Sequence, residues 1–134
     1  MNIKRLLLEE YQRQRAMPFA WGGADCLGFA ADCAKLLTGN DPAADLRGKY
    51  DSEIGAKRIM VERGWHTLGD VAASMFPEIP VAMARSGDWA FIVNDDGTET
   101  LGVVGGALVL ARTQSGAGFQ PLTKARRAFC VVPR

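Results

Sequence analysis

The chain has 134 residues, of which 48% are hydrophobic and 23% are charged, so its size and composition fit one soluble globular domain. Its 16 Lys and Arg residues against 15 Asp and Glu residues give a net charge of +1, which offers no basic surface for nucleic acid. No apolar run approaches the roughly 20 residues that cross a bilayer, and the leucine run near the start is too short for a secretory signal. We expect a single domain over residues 1–134, with no membrane span and no nucleic-acid partner, made in the cytoplasm.

Apolar residues at helical spacing predict two helices in the first 40 residues. The first spans residues 2–15 and ends before Pro18. A loop with two adjacent glycines follows, and a second helix spans residues 26–38, with Gly39 as its closing residue. The buried face of this second helix is expected to consist of Cys26, Phe29, Ala30, Cys33, Leu36 and Leu37.

Capping signals predict three further helices before residue 77. They run from Asp41 to Leu46, over residues 52–63 and over residues 68–76. The last begins with Thr67-Leu-Gly-Asp70, which resembles a capping box.

The periodicity changes after Pro77, and strand signals replace helix signals. Strands are expected at Trp89–Val93, Leu101–Val104, Ala107–Ala111 and Phe129–Val132. Helices followed by antiparallel strands predict an α+β fold, with the N-terminal helices packed on a C-terminal antiparallel sheet.

Three cysteines, Cys26, Cys33 and Cys130, are present. An odd number argues against a disulfide framework, and no Cys/His cluster has the spacing of a zinc site. We therefore expect no metal and no cofactor, and we interpret Cys33 and Cys130 as core residues.

Cys26 stands where the glycine loop meets the start of the second helix. The partial positive charge of a helix N-terminus stabilises a thiolate, the nucleophilic form of cysteine, and Asp25 is a natural N-cap. The alternative is that Cys26 is a small apolar residue on the buried face of that helix.

The segment Phe19-x-Trp21-Gly22-Gly23-x-Asp25-Cys26-x-Gly28-Phe29 resembles the nucleophile motif of NlpC-type peptidases. These are papain-like endopeptidases and amidases of bacterial peptidoglycan. Ser86-Gly87-Asp88-Trp89-Ala90-Phe91 resembles the stretch that opens the first central strand of that family, and the resemblance covers residues 16–133. It implies a papain-like NlpC-type fold in which Cys26 is the catalytic candidate.

The sequence departs from this family at the catalytic base. A cysteine peptidase needs a base within hydrogen-bonding reach of the sulfur. The resemblance aligns the catalytic histidine with Thr100 and the third triad position with Leu110, and implies that both lie near Cys26. The single histidine, His66, precedes the sheet, and we expect it to have a helix-capping or surface role.

A narrower resemblance points to small proteins encoded among the tail genes of phages and prophages. They share the Trp-Gly-x-x-Asp-Cys motif and a stretch like Thr38-Gly39-x-Asp41…Arg47-Gly48-x-Tyr50, without an obvious triad histidine. The resemblance implies a structural or assembly component of a tail tip. Its partners would be other tail-tip proteins, with peptidoglycan as a further candidate, and its location would be the virion.

Two alternatives remain open from the sequence. The chain could be an active cysteine peptidase or amidase that acts on peptidoglycan through Cys26, or it could have a cytoplasmic role unrelated to phages. For the tail-tip role, the N-terminal helix and the loop around residues 77–86 are the expected contact surfaces.

Overall fold

Four helices precede a six-stranded sheet in the computed structural model, which describes residues 2–133. The helices are α1 (Ile3–Arg15), α2 (Cys26–Thr38), α3 (Glu53–Glu62) and α4 (Leu68–Met75). The strands are β1 (Glu78–Ile79), β2 (Trp89–Val93), β3 (Glu99–Gly105), β4 (Leu108–Thr113), β5 (Gly116–Pro121) and β6 (Arg127–Phe129). They lie in the order β1-β6-β2-β3-β4-β5, with antiparallel neighbours throughout. The predicted α+β architecture is confirmed. Within residues 2–133, no helix is both long enough and apolar enough to cross a bilayer.

The helices begin and end at the predicted signals. Asp25 and Ser52 cap α2 and α3 by accepting hydrogen bonds from backbone amides of the first turn. Thr67 and Asp70 form the predicted capping box at the start of α4. Gly39 ends α2 in the left-handed region, at φ +84°, where a residue with a side chain would be strained.

The predicted helix from Asp41 to Leu46 is absent, and this segment forms a series of turns. The Asp41 carboxylate accepts a hydrogen bond from the Ala43 amide at 3.0 Å and another from Arg47 Nε at 2.7 Å. An aspartate that binds nearby backbone in this way favours a turn over a helix, so the helix prediction was wrong.

The strand predictions are confirmed at β2, β3 and β4, but the sheet has two strands that were not predicted. β1 has only two residues, and β5 has the sequence Gly-Ala-Gly-Phe-Gln-Pro, which lacks β-branched residues. The last strand ends at Phe129, whereas it was predicted to extend to Val132. Leu36, which was predicted to be buried on α2, is 49% exposed.

The sheet has a different layer on each face. One face packs against the helices, and its core includes Trp89, Phe91, Leu101, Val103, Leu110 and Phe129 together with Phe29, Ala30 and Cys33 of α2. The other face forms a smaller cluster of Ala90, Ile92, Val104 and Val109, covered by Ala84, Leu122 and Ala125. Because side chains alternate along a strand, neighbouring residues in β2 and β3 face opposite layers.

Trp89 anchors α2 to the centre of the sheet. Its side chain is fully buried, and its indole Nε1 donates a hydrogen bond to the Ala30 carbonyl at 3.1 Å. Phe76 packs edge-to-face on the same ring, with the centroids 4.9 Å apart. Trp89 and Phe76 are therefore structural residues of the domain itself.

Asp88 links the residues that follow β6 to the loop that precedes β2 through hydrogen bonds. Its carboxylate is fully buried and accepts hydrogen bonds from the Val131 amide at 3.0 Å and the Arg85 amide at 2.8 Å. The Gly-Asp motif that resembles the peptidase strand therefore has a structural role, because its aspartate joins these two segments.

We predict that Asp88→Ala lowers the free energy of unfolding by about 3 kcal/mol, because it leaves buried amides without an acceptor. Chemical denaturation of the purified variant measures this loss. Asp95→Ala, at an exposed position in the β2–β3 turn, is the matched control and should stay close to wild type. Equal stability of the two variants would contradict the structural role of Asp88.

Candidate functional site

Cys26 is the first residue of α2 and lies on the side of the helix that faces the sheet. Its side chain is half-buried and packs against the helix-facing core, which includes Leu101 of β3. The backbone of Leu101 is close enough to the thiol to affect its pKa. The structure therefore places the candidate nucleophile directly against the middle of β3.

The residue before it, Asp25, organises the surrounding loop. Its side chain is 3% exposed, and Oδ1 accepts a hydrogen bond from the Gly28 amide at 2.7 Å. Oδ2 accepts one from the Gly22 amide at 3.0 Å and one from the Tyr50 hydroxyl at 2.6 Å. We call this arrangement the Asp25 clasp; it joins the loop before α2, the first turn of α2 and the segment that ends at Tyr50.

Close backbone packing explains two of the glycines in the motif. Gly22 has φ +84°, and a Cβ there would lie 2.0 Å from the Tyr50 carbonyl oxygen. A Cβ on Gly28 would lie 1.7 Å from the Gly23 carbonyl oxygen. The Gly48 amide also donates to the Gly22 carbonyl at 2.9 Å. These motif positions are fixed by the packing of the clasp.

Arg112 of β4 supports the same loop from the sheet. Its side chain is only 3% exposed, and Nε donates to the Ala24 carbonyl at 3.1 Å. A second hydrogen bond runs from Nη1 to the Gln14 carbonyl in the last turn of α1. A cation is favourable there, because the carbonyls at a helix C-terminus carry partial negative charge. The sequence pattern did not predict a role for Arg112, and its one signal was an arginine inside an otherwise apolar strand.

A polar network continues from this loop across the N-terminal half. The Gln14 side chain donates to Glu10 at 2.6 Å and to Asp32 at 2.7 Å. Arg47 bonds to Asp32 at 2.6 Å and to Asp41 at 2.7 Å. Burial acts to raise the pKa of Asp41, but the hydrogen bonds from Arg47 and the Ala43 amide outweigh it and hold that pKa below its ordinary value. The network joins α1, α2 and the turns after α2.

A family model described as "Domain of unknown function (DUF6950)" matches residues 2–131. The chain belongs to this family. No curated protein matches the sequence at a significant level. The match includes α1, the Asp25 clasp and the whole sheet, so α1 is an integral part of the DUF6950 domain.

The Cys26 thiol of this DUF6950 domain is protonated at neutral pH. Burial raises its pKa to about 12, and the neighbouring negative charge of Asp25 acts in the same direction. Hydrogen bonds from the backbone of Leu101, Leu27 and Cys26 itself oppose the shift but do not cancel it. The expected thiolate stabilisation by the helix N-terminus is therefore outweighed, since the Asp25 carboxylate occupies the first turn.

The Thr100 side chain is on the sheet face that is directed away from the helices and from the thiol. Thr100 pairs with Ile92 of the opposite layer, and its hydroxyl accepts a hydrogen bond from Asn94 Nδ2 at 3.0 Å on that side. Its neighbour Leu101 faces the helices and packs in the core with Leu110. The two strand residues that face the helices at this point, Leu101 and Leu110, are therefore both apolar.

His66 has the surface role that the sequence predicts. It is exposed in the loop before α4, and its amide donates to the Asp70 carboxylate at 2.8 Å.

The cavity beside the Asp25 clasp has a volume of about 10 Å³, which is room for about one water molecule, and Cys26 does not line it. The geometry around Cys26 therefore supports packing rather than nucleophilic catalysis.

We predict that Tyr50→Phe destabilises the domain by about 1–2 kcal/mol, because Asp25 loses a hydrogen-bond donor at a buried carboxylate. Tyr11→Phe is the matched control, since the Tyr11 hydroxyl makes no hydrogen bond within residues 2–133. Thermal and urea unfolding of both variants provide the measurement. A Tyr50→Phe variant as stable as Tyr11→Phe would show that the clasp does not depend on this donor.

We also predict slow alkylation of Cys26 in the folded protein. With a thiol pKa of about 12, iodoacetamide at pH 8 should modify Cys26 at least about a hundredfold more slowly than in the urea-unfolded chain, whose thiols have an ordinary pKa near 8.5. The rate should rise as pH increases toward 12, because only the thiolate reacts. Peptide mass spectrometry resolves Cys26 from Cys33 and Cys130. Rapid labelling of Cys26 at neutral pH would contradict this account.

Proposed function

We propose that this DUF6950 domain is a structural or assembly component of a phage or prophage tail tip, built on a papain-like NlpC-type fold without a catalytic base. One observation carries the proposal: Cys26, at the start of α2 and beside the buried Asp25 carboxylate, packs against the apolar helix-facing core, which includes Leu101. A nucleophilic cysteine needs a lowered pKa or an adjacent base. Here the pKa is raised, and the adjacent carboxylate of Asp25 already accepts hydrogen bonds from Gly22, Gly28 and Tyr50.

The arrangement of elements supports the fold assignment within the proposal. A cysteine at the start of a helix packs against the middle of an antiparallel sheet, and a Gly-Asp segment opens a central strand. This is the order of features that the peptidase resemblance implies. Of the two triad positions that the resemblance implies, Thr100 faces the opposite layer and Leu110 lies in the apolar core, which is the pattern expected of a scaffold whose catalytic function has been lost.

The phage resemblance gains support from contacts between its two segments. The loop with the Asp-Cys pair and the segment from Arg47 to Tyr50 are joined by the Tyr50–Asp25 and Gly48–Gly22 hydrogen bonds. The segments therefore form one structural unit, which is consistent with their joint occurrence in the small tail-cluster proteins.

Exposed apolar side chains provide candidate contacts with other tail-tip proteins. Ile54 and Val61 on α3 are 72% and 78% exposed, and Leu8 on α1 is 51% exposed. Met83, in the segment over residues 77–86, is 57% exposed. Such groups are suited to burial in a complex, where apolar area contributes to affinity.

The alternative function is a cysteine peptidase or amidase that acts on peptidoglycan through Cys26. The observation in its favour is that Cys26 remains half-buried at a helix start rather than fully enclosed. Under this alternative, a partner chain would have to supply the base. The proposals differ in whether Cys26 is needed for function.

We predict that the purified domain releases no muropeptides from peptidoglycan and that Cys26→Ala preserves its biological role. A tagged copy should be found in tail-tip assembly intermediates or in mature particles. Particle proteomics and assembly yield from a phage carrying Cys26→Ala, compared with the wild-type tagged phage, provide the measurement. Cys26-dependent muropeptide release, or the absence of the protein from every particle fraction, would refute the tail-tip proposal.

A further inference from the structure

β5 is an exposed sheet edge with the length of a typical strand. It pairs with β4 along all six of its residues, and within residues 2–133 no strand pairs with its outer side. The opposite edge, β1, is only two residues long. The outward N–H and C=O groups of an edge strand can pair with an added strand, so β5 is the edge of this sheet suited to accept one.

A groove of about 500 Å³, lined by both apolar and polar side chains, lies along this edge, on the helix side of the sheet, between α1 and β4–β5. Three of its lining side chains are large, apolar and exposed: Leu8 at 51%, Leu108 at 37% and Phe119 at 63%. Phe119 pairs with Leu110, whose side chain belongs to the helix-facing core, so Phe119 stands on the same face. A strand added to β5 would direct every second side chain into this groove.

The groove also has an uncompensated positive charge. Among the described residues that line it, Arg15 is the one charged residue, and it forms no ion pair within residues 2–133. Arg15 follows Gln14, whose carbonyl binds Arg112, and Arg112 pairs with Ala117. The positive charge therefore lies toward the Ala117 end of β5, where it would attract a carboxylate.

We propose that β5 binds an extended segment of another protein as a seventh strand. Alternate apolar side chains of that segment fill the groove, and an acidic residue pairs with Arg15. The inference goes beyond the tail-tip proposal, since it depends on the edge and the groove alone and would hold for a partner in any assembly.

A second copy of the chain is a poorer occupant of the same edge. β5 of a second copy would bring the sequence Gly116–Pro121, which contains no acidic residue to pair with Arg15. Phe119 is its one large apolar side chain, which leaves most of a groove of about 500 Å³ unfilled.

The test is selection from a display library of extended peptides of about eight residues against the purified domain. We expect enriched peptides to alternate apolar residues and to carry an acidic residue near one end. Phe119→Ser should weaken a selected peptide at least about tenfold, whereas Leu36→Ser, at an exposed apolar position on α2, should leave its affinity unchanged. Amide shifts in NMR spectra should map to residues 8–15 and 116–120.

N-methylation of the peptide backbone distinguishes strand addition from binding of side chains in the groove alone. Methylating alternate backbone nitrogens on the side of the peptide that faces β5 should abolish binding, and methylating the other alternate set should not. The proposal is overturned if the library yields no binder, if both methylated peptides bind equally, or if the shifts map elsewhere. Self-association of the wild-type chain that Phe119→Ser abolishes would also overturn it, since the occupant would then be a second copy.

Discussion

The N-terminal half of the domain depends on one buried carboxylate. A charge removed from water is stable only when hydrogen bonds replace its hydration, and Asp25 has donors from Gly22, Gly28 and Tyr50. These bonds hold together three segments that are separate in the sequence. The same negative charge lies beside Cys26 and helps to raise the pKa of its thiol. The interaction that fixes the position of the cysteine therefore also makes it a weaker nucleophile.

The alternation of the sheet determines what the thiol faces. Thr100 and Leu101 are adjacent in the chain, yet one contacts Asn94 on the far layer and the other packs with the helices. A shift of one residue exchanges the two faces of a strand. Alignment by the order of motifs cannot detect such a shift, because it preserves the sequence of glycines and apolar residues. In this register, a side chain at position 101, not 100, would point toward Cys26.

The sequence was most informative where structure depends on local interactions. The caps at Asp25 and Thr67 and the closing Gly39 were predictable, because each acts within one helical turn. In the candidate site, Cys26 and its helix start were predictable for the same reason. The bonds from Arg112 to the α1 end and from Tyr50 to Asp25 join residues distant in the sequence, and no local pattern encodes them. The turns after Asp41 were mispredicted because ion pairing with Arg47 competes with helix formation.

The glycine-rich sequence of β5, which gave no strand signal, also makes β5 suited to accept another strand. Gly116 and Gly118 have no side chains, and a Cβ at either position would meet no atom within 4 Å. The faces of the strand are therefore uncovered at these two positions. No strand within residues 2–133 pairs with the outer side of β5, and β5 has none of the lysines with which many edge strands prevent pairing. Pro121 ends the strand, and the chain turns back over the far face through Leu122. An unprotected edge beside exposed Leu8 and Phe119 is a liability for an isolated protein, and such edges are stable in solution when a partner covers them.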